Sequence, residues 1–144
     1  MSVMAEERTL ILVKPDGVAN GHIGDVIDRL ERKQYQISAL KVVQKATDAQ
    51  LRAHYSDKVD KPYFSEITDY MQSGPIVAIV ATGTHIVDAF HQMAGKTNPD
   101  EAELGTIRGD YGRAWEDGAI RNVVHSSDSP AAAEREIKIW FPEL

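Results

Sequence analysis

Of the five histidines in this 144-residue chain, His125 stands in the setting best suited to chemistry. It closes the short β-rich run Asn122-Val123-Val124, and hydroxyl side chains follow it at Ser126, Ser127 and Ser129. Imidazole is nucleophilic while neutral, and an unperturbed pKa of ~6.5 leaves it largely so at pH 7. A nitrogen–phosphorus bond formed there is reactive enough for the group to be passed on. A strand-end histidine of this kind is therefore a candidate phosphoryl carrier. Such a ring needs a partner on its second nitrogen to fix tautomer and orientation. Glu136 is the candidate partner, on a helix that begins at Ser129, with Ser127 a candidate intermediary. His22, His54 and His85 lack this context and read as structural.

Two basic residues could meet a phosphate beside it. Lys14 follows the first apolar run, at a strand end where a cleft would gather. Arg108 lies in Gly105-Thr106-Ile107-Arg108-Gly109-Asp110. Glycines there allow the backbone to approach a ligand, and a guanidinium matches paired phosphate oxygens. Gly95-Lys96-Thr97 imitates the end of a P-loop. The glycine required five positions earlier is Phe90, however, and a helix rather than a strand precedes the segment, so the motif is rejected.

Composition narrows the classes further. The chain is 42% hydrophobic and 26% charged, an ordinary balance for one globular domain. The absence of cysteine excludes disulfides, a thiolate metal site and a cysteine nucleophile. The longest apolar run, Ile76 to Ala81, is far short of the ~20 residues that span a bilayer. Residues 1–8 lack the apolar core of a signal peptide, so a cytoplasmic location is expected. A net charge of −6 and a pI of about 5.3 argue against a stable nucleic-acid partner. The same field repels a nucleotide, so basic residues in one pocket and a divalent cation would have to overcome it locally.

These residues need elements to position them. Thr9 to Val13 reads as a strand, followed by a turn at Lys14-Pro15-Asp16-Gly17. Ile23, Val26, Ile27 and Leu30 recur at helical spacing, with Asp25, Asp28, Arg29 and Arg32 on the other face. Gln36 to Val43 reads as a second strand, with Ile37 and Val43 inward. Thr47 and Gln50 form a capping box for a helix through Tyr55. Pro62 suits the first turn of another helix, to about Gln72, which Ser73-Gly74-Pro75 stops. Ile76 to Thr82 is a buried strand, and Thr84 is placed to cap a helix that Gly95 ends. Residues 96–121 show little periodicity and read as a long loop. Asn122 to Val124 forms a last strand, and Ser129-Pro130 starts a helix to about Lys138. The order predicts one α+β domain over 1–144, with 1–7 a flexible N-terminus. Its form is a ferredoxin-like split βαβ with an antiparallel four-stranded sheet and an inserted helical hairpin.

The segments Lys14-Pro15-Asp16-Gly17-Val18, Ser73-Gly74-Pro75, Thr97-Asn98-Pro99, Gly105 to Asp110 and Asn122 to Ser129 resemble the nucleoside diphosphate kinase family. They occur in that family's order, and the resemblance runs from about Arg8 to Phe141. It implies a ping-pong kinase, in which the γ-phosphoryl of a nucleoside triphosphate passes to His125 and then to a nucleoside diphosphate. Mg²⁺ is expected on the phosphates, with no metal held by the protein alone. Lys14, Thr97, Arg108 and Arg121 match positions at or near phosphate. Asn122, with Lys14, matches a contact to the sugar hydroxyl. Tyr55 matches a neighbour of the catalytic histidine, and Ser127 and Glu136 match its orienting pair. The resemblance also implies a homo-oligomer, a hexamer favoured over a tetramer or dimer.

Four positions depart from the family's pattern. His91 stands where an arginine usually contacts phosphate, and Tyr63 replaces a base-stacking phenylalanine. Ser126 replaces a glycine beside the nucleophile, and Gly112 to Gly118 makes that loop longer. These departures keep open an alternative, a nucleotide-binding regulatory module with weakened catalysis.

Overall fold

A computed structural model of the chain describes residues 6–117 and 120–144. Its frame is a four-stranded antiparallel sheet of β1 (Glu6–Val13), β2 (Gln36–Val43), β3 (Ile76–Thr84) and β6 (Val124–Ser126). The strand order is β2-β3-β1-β6, which makes β1 central and puts the histidine strand on an edge. Leu12 pairs with His125, and Val13 with Val124.

Side chains alternate across a strand, so β1 feeds two cores. Ile11 and Val13 join Val26 and Leu30 of α2 (Ile23–Arg32) and Ile86 and Phe90 of α5 (Ile86–Ala94). Leu10 and Leu12 join Leu51 of α3 (Asp48–His54), Met71 of α4 (Phe64–Met71) and Ile137 and Trp140 of α7 (Pro130–Trp140). The same alternation sends His125 to the α3–α7 side, with Leu12, and Ser126 to the α5 side, with Ile11. Thus His125 and its neighbour address different helices.

Local chemistry accounts for several of the boundaries. Both halves of the capping box form at α3, where Thr47 Oγ1 accepts from Gln50 N and Gln50 Oε1 accepts from Thr47 N. Ser129 Oγ accepts from Ala132 N at the start of α7, with Pro130 in the first turn. Gly95 ends α5 at φ +88°, and an added Cβ there would lie 2.5 Å from Thr106 Oγ1.

Several expectations are corrected. The Lys14 to Gly17 turn is the approach to a five-residue helix, α1 (Pro15–Ala19), because proline suits a first helical turn. Thr84 ends β3, and His85, left-handed at φ 57°, precedes α5 in place of a threonine cap. Pro62 lies just outside α4, whose N-cap is Tyr63. The expected loop at 96–121 contains α6 (Ile107–Tyr111), capped by Thr106, and a small ribbon of β4 (Arg113–Ala114) with β5 (Ile120–Arg121). The last strand is Val124–Ser126, so Asn122 and Val123, expected in it, precede it and His125 is its central residue. Glu6 and Glu7, expected to be flexible, begin β1; the rest of that stretch and Gly118 of the 112–118 loop lie outside the described residues.

Candidate active site

His125 is held from below by the helix that follows it. Ser129 and Pro130 start α7, and two turns later Glu136 points back at the ring. His125 Nε2 donates to Glu136 Oε1 at 2.8 Å. Ser127 Oγ donates to the same oxygen at 2.7 Å and accepts from Leu10 N at 3.1 Å, which ties the carboxylate to the central strand. With Nε2 carrying the proton, Nδ1 keeps a free lone pair. The sequence-derived partnership of His125, Ser127 and Glu136 is what the structure assembles.

Burial favours the neutral imidazole, and Lys14 and Arg108 act the same way against Glu136, so the pKa of His125 falls below the ordinary histidine value. Burial works against ionisation of Glu136, but the hydrogen bonds from His125 and Ser127 outweigh it and hold the carboxyl low.

A cleft of about 360 Å³ opens above the ring. Lys14, Tyr55, His91, Thr97, Arg108 and Asn122 line it, together with His125 and Glu136. Lys14 Nζ donates to Asn122 Oδ1 at 2.9 Å, and Asn122 Nδ2 donates to Thr97 O at 3.1 Å, so these three share one wall. Burial, reinforced by the charge of Arg108, lowers the Lys14 pKa to about 8. Burial also raises Tyr55, to about 12, keeping its phenol protonated. Arg108 is buried; its two terminal nitrogens donate to Gly95 O and Val124 O, each at 2.8 Å, while Nε has no partner. Its charge therefore faces the cleft wall with its fork already committed to backbone.

Ser126 Oγ lies 3.4 Å from His91 Nδ1, so two of the departures from the family pattern meet each other. Two expected site residues sit elsewhere. Arg121 pairs with Asp117 at 2.9 Å and lines a separate cavity with Arg113 and Trp115. Tyr63 is 43% exposed and is not part of the cleft wall.

The structure adds one residue that sequence reasoning passed over. His54 is 4% exposed, and its ring lies edge-on to His125 at 4.4 Å between centroids. Its Nδ1 accepts from Trp140 Nε1 at 3.1 Å. Burial above all, with the adjacent His125 and Lys14, drives its pKa down to about 2, so it is neutral. No local pattern announces this role, since the indole comes from the other end of the chain. His54, His125 and Glu136 bring ligand-type atoms within 4.8 Å of one another. His54 Nδ1 is engaged by Trp140 and His125 Nε2 by Glu136, so these side chains form a hydrogen-bonded cluster.

A neutral, oriented imidazole on an edge strand of a ferredoxin-like sheet, in a cleft that also holds Lys14 and Arg108, suits a phosphoryl-transfer enzyme. The family profile of nucleoside diphosphate kinase matches residues 7–144. A nucleoside diphosphate kinase of Corynebacterium efficiens is 48% identical over 141 residues, covering 96% of this chain and 98% of that one. One from Saccharopolyspora erythraea is 49% identical over 140 residues, with 96% and 98% covered. Among solved structures, the Halobacterium salinarum nucleoside diphosphate kinase in complex with CDP superimposes with a TM-score of 0.87 at 37% identity, covering 95% of this chain and 88% of that one. The Aquifex aeolicus enzyme gives 0.85 at 36% identity, with 95% and 96% covered. The chain belongs to the nucleoside diphosphate kinase family.

Proposed function

We propose that this chain moves the γ-phosphoryl group of a nucleoside triphosphate to a nucleoside diphosphate through a phosphohistidine on His125. The observation that carries this is the Nε2–Glu136 hydrogen bond, which leaves Nδ1 free and aimed by its anchor. In the first half-reaction Nδ1 attacks the γ-phosphorus; the N–P bond forms, the bridging P–O bond breaks, and the diphosphate departs with the electron pair. In the second, the terminal oxygen of another diphosphate attacks the same phosphorus and the N–P bond breaks. The two exchanges join similar anhydrides, so positioning and charge stabilisation matter more than driving force.

Lys14 and Arg108 supply positive charge to the phosphates, and Thr97 and His91 border them. Asn122 with Lys14 is placed for the sugar hydroxyls, and Tyr55 packs beside the nucleophile's cluster. Tyr63 and Arg121, from outside the cleft wall, would reach base and phosphate only as the nucleotide extends beyond it. Mg²⁺ would fit as a companion of the phosphates: of the carboxylates lining the cleft, Glu136 is committed to His125 and Asp57 to Lys58, which leaves Asp128 without a set of protein ligands around it. There it neutralises phosphate charge.

The whole chain acts as a single domain, in the cytoplasm, as a homo-oligomer with a hexamer favoured. Among the described helices none is long and apolar enough to cross a membrane. The edge strand β2 leaves Leu40 and Val42 45% and 55% exposed on one face, an apolar strip suited to a second copy.

Incubation with Mg²⁺ and γ-labelled ATP, then a GDP chase, tests the relay. Acid-labile label on wild type but not on His125→Ala, discharged into GTP, is expected. Nucleotide binding with no label at all would replace the kinase with a binding module.

A further inference from the structure

Immediately before the histidine strand the backbone takes an unusual path. Val123 has φ 73°, and Val124 N donates to Asn122 O at 2.8 Å, which closes a three-residue γ-turn. A γ-turn with positive φ is rare and strained, and a β-branched residue is the least suited to its centre. Strain of this kind persists only where the surroundings over-determine it.

Here the surroundings are the Lys14 to Gly17 segment. Asp16 Oδ2 accepts from Val123 N at 3.0 Å, and Lys14 N donates to Val123 O at 2.8 Å. Both amide groups of the strained residue are thus held by one short stretch. Gly17 completes the fit, since a Cβ on it would lie 2.9 Å from Val123 O. Asp16 is itself buried, and its other oxygen accepts from the Tyr70 hydroxyl of α4. Tyr70 Oη in turn accepts from Asp16 N at 3.2 Å. Burial, followed by Asp16, raises the Tyr70 pKa well above the usual phenol value, so this donor keeps its proton.

We infer that Asp16 is a positioning residue for phosphoryl transfer: by clamping Val123 in the left-handed γ-turn it sets Asn122 toward the cleft and His125 over Glu136. Asp16 lies outside the His125 cleft and acts through the backbone. Tyr70 extends the clamp to the helical hairpin. The inference rests on the relay proposed above.

The test is single-turnover labelling of Asp16→Asn and of Asp16→Asn/Val123→Gly. Asparagine has one acceptor oxygen where two donors wait, so it cannot hold the Val123 amide and the Tyr70 hydroxyl together and the clamp is weakened. Glycine adopts positive φ without help, so it should make the clamp dispensable. Asp16→Asn is expected to slow labelling about tenfold, as a sub-ångström misplacement does, and the double variant to recover most of that rate. A structural defect alone would worsen when a buried valine is also removed. Labelling of Asp16→Asn at the wild-type rate, or a double variant no faster than Asp16→Asn, overturns the inference. If Asp16→Asn does not fold, Tyr70→Phe loosens the same carboxylate and is expected to slow labelling about threefold, again recovered with Val123→Gly. Hydrogen exchange at the Val123 amide separates the two claims. Should wild type take no label, the relay falls, whereas the clamp stands or falls on faster exchange in Asp16→Asn.

Discussion

In the proposed relay, Lys14 and His125 set the pH range in which the cleft can work, from opposite sides. His125 must be neutral to attack, and its pKa lies below the ordinary histidine value, so kcat/KM rises with pH only through the acid range and is level by neutrality. Lys14 must be charged to meet phosphate, and its pKa of about 8 means that the charge is lost as pH rises past that point. A pH profile of kcat/KM, which reports the free enzyme, should therefore show a plateau near neutrality and a fall above about 8. Lys14→Arg, which stays charged, should lose the alkaline limb; an identical limb in that variant would remove Lys14 as its cause. At this scale the sequence was most legible where partners lie close together, as with His125, Ser127 and Glu136 around one helix start. His54 and Asp16 were not legible, because the groups that define them, Trp140 and Val123, are 86 and 107 residues away.

Elements were legible in proportion to their length and capping. The helix α2 follows from its apolar spacing and α3 and α7 from their side-chain caps, whereas α6 is only five residues, too short for a periodic signal. The γ-turn at Val123 runs against local propensity and is imposed by a distant segment, so no sequence pattern betrays it. The junction of α5 and α6 shows how such short pieces matter. Gly95 occupies φ +88°, its missing Cβ makes room for Thr106, and its carbonyl accepts from Arg108. Gly95→Ala should cost at least about 1 kcal/mol of stability in urea unfolding, because alanine does not tolerate positive φ. It should also weaken nucleotide binding through Arg108 in calorimetric titration. Unchanged affinity in a destabilised variant would confine the glycine to a structural part.

For the whole molecule, the order of elements and the antiparallel α+β class could be read from the sequence, since each strand alternates with a patterned helix. The exposure of β2 could not. Gln36 to Val43 reads as an ordinary half-buried strand, and only the strand order makes it an edge with Leu40 and Val42 outward. An apolar edge invites association with another sheet or another copy. Light scattering should give wild type a multi-subunit mass and the Leu40→Lys/Val42→Lys variant a smaller one. A wild-type monomer at micromolar concentration would remove the proposed oligomer.

The pairing of Leu12 with His125 also says when in its life the protein becomes active. The first strand is made early during synthesis, but its edge partner β6 and the helix that carries Glu136 come last. Pairings so distant in sequence close a large loop, which is costly in entropy and slow. A growing chain that has reached only β3 lacks both His125 and Glu136. In the proposed relay, phosphate chemistry therefore waits for β6 and α7, so an unfinished chain has no means of spending nucleotide.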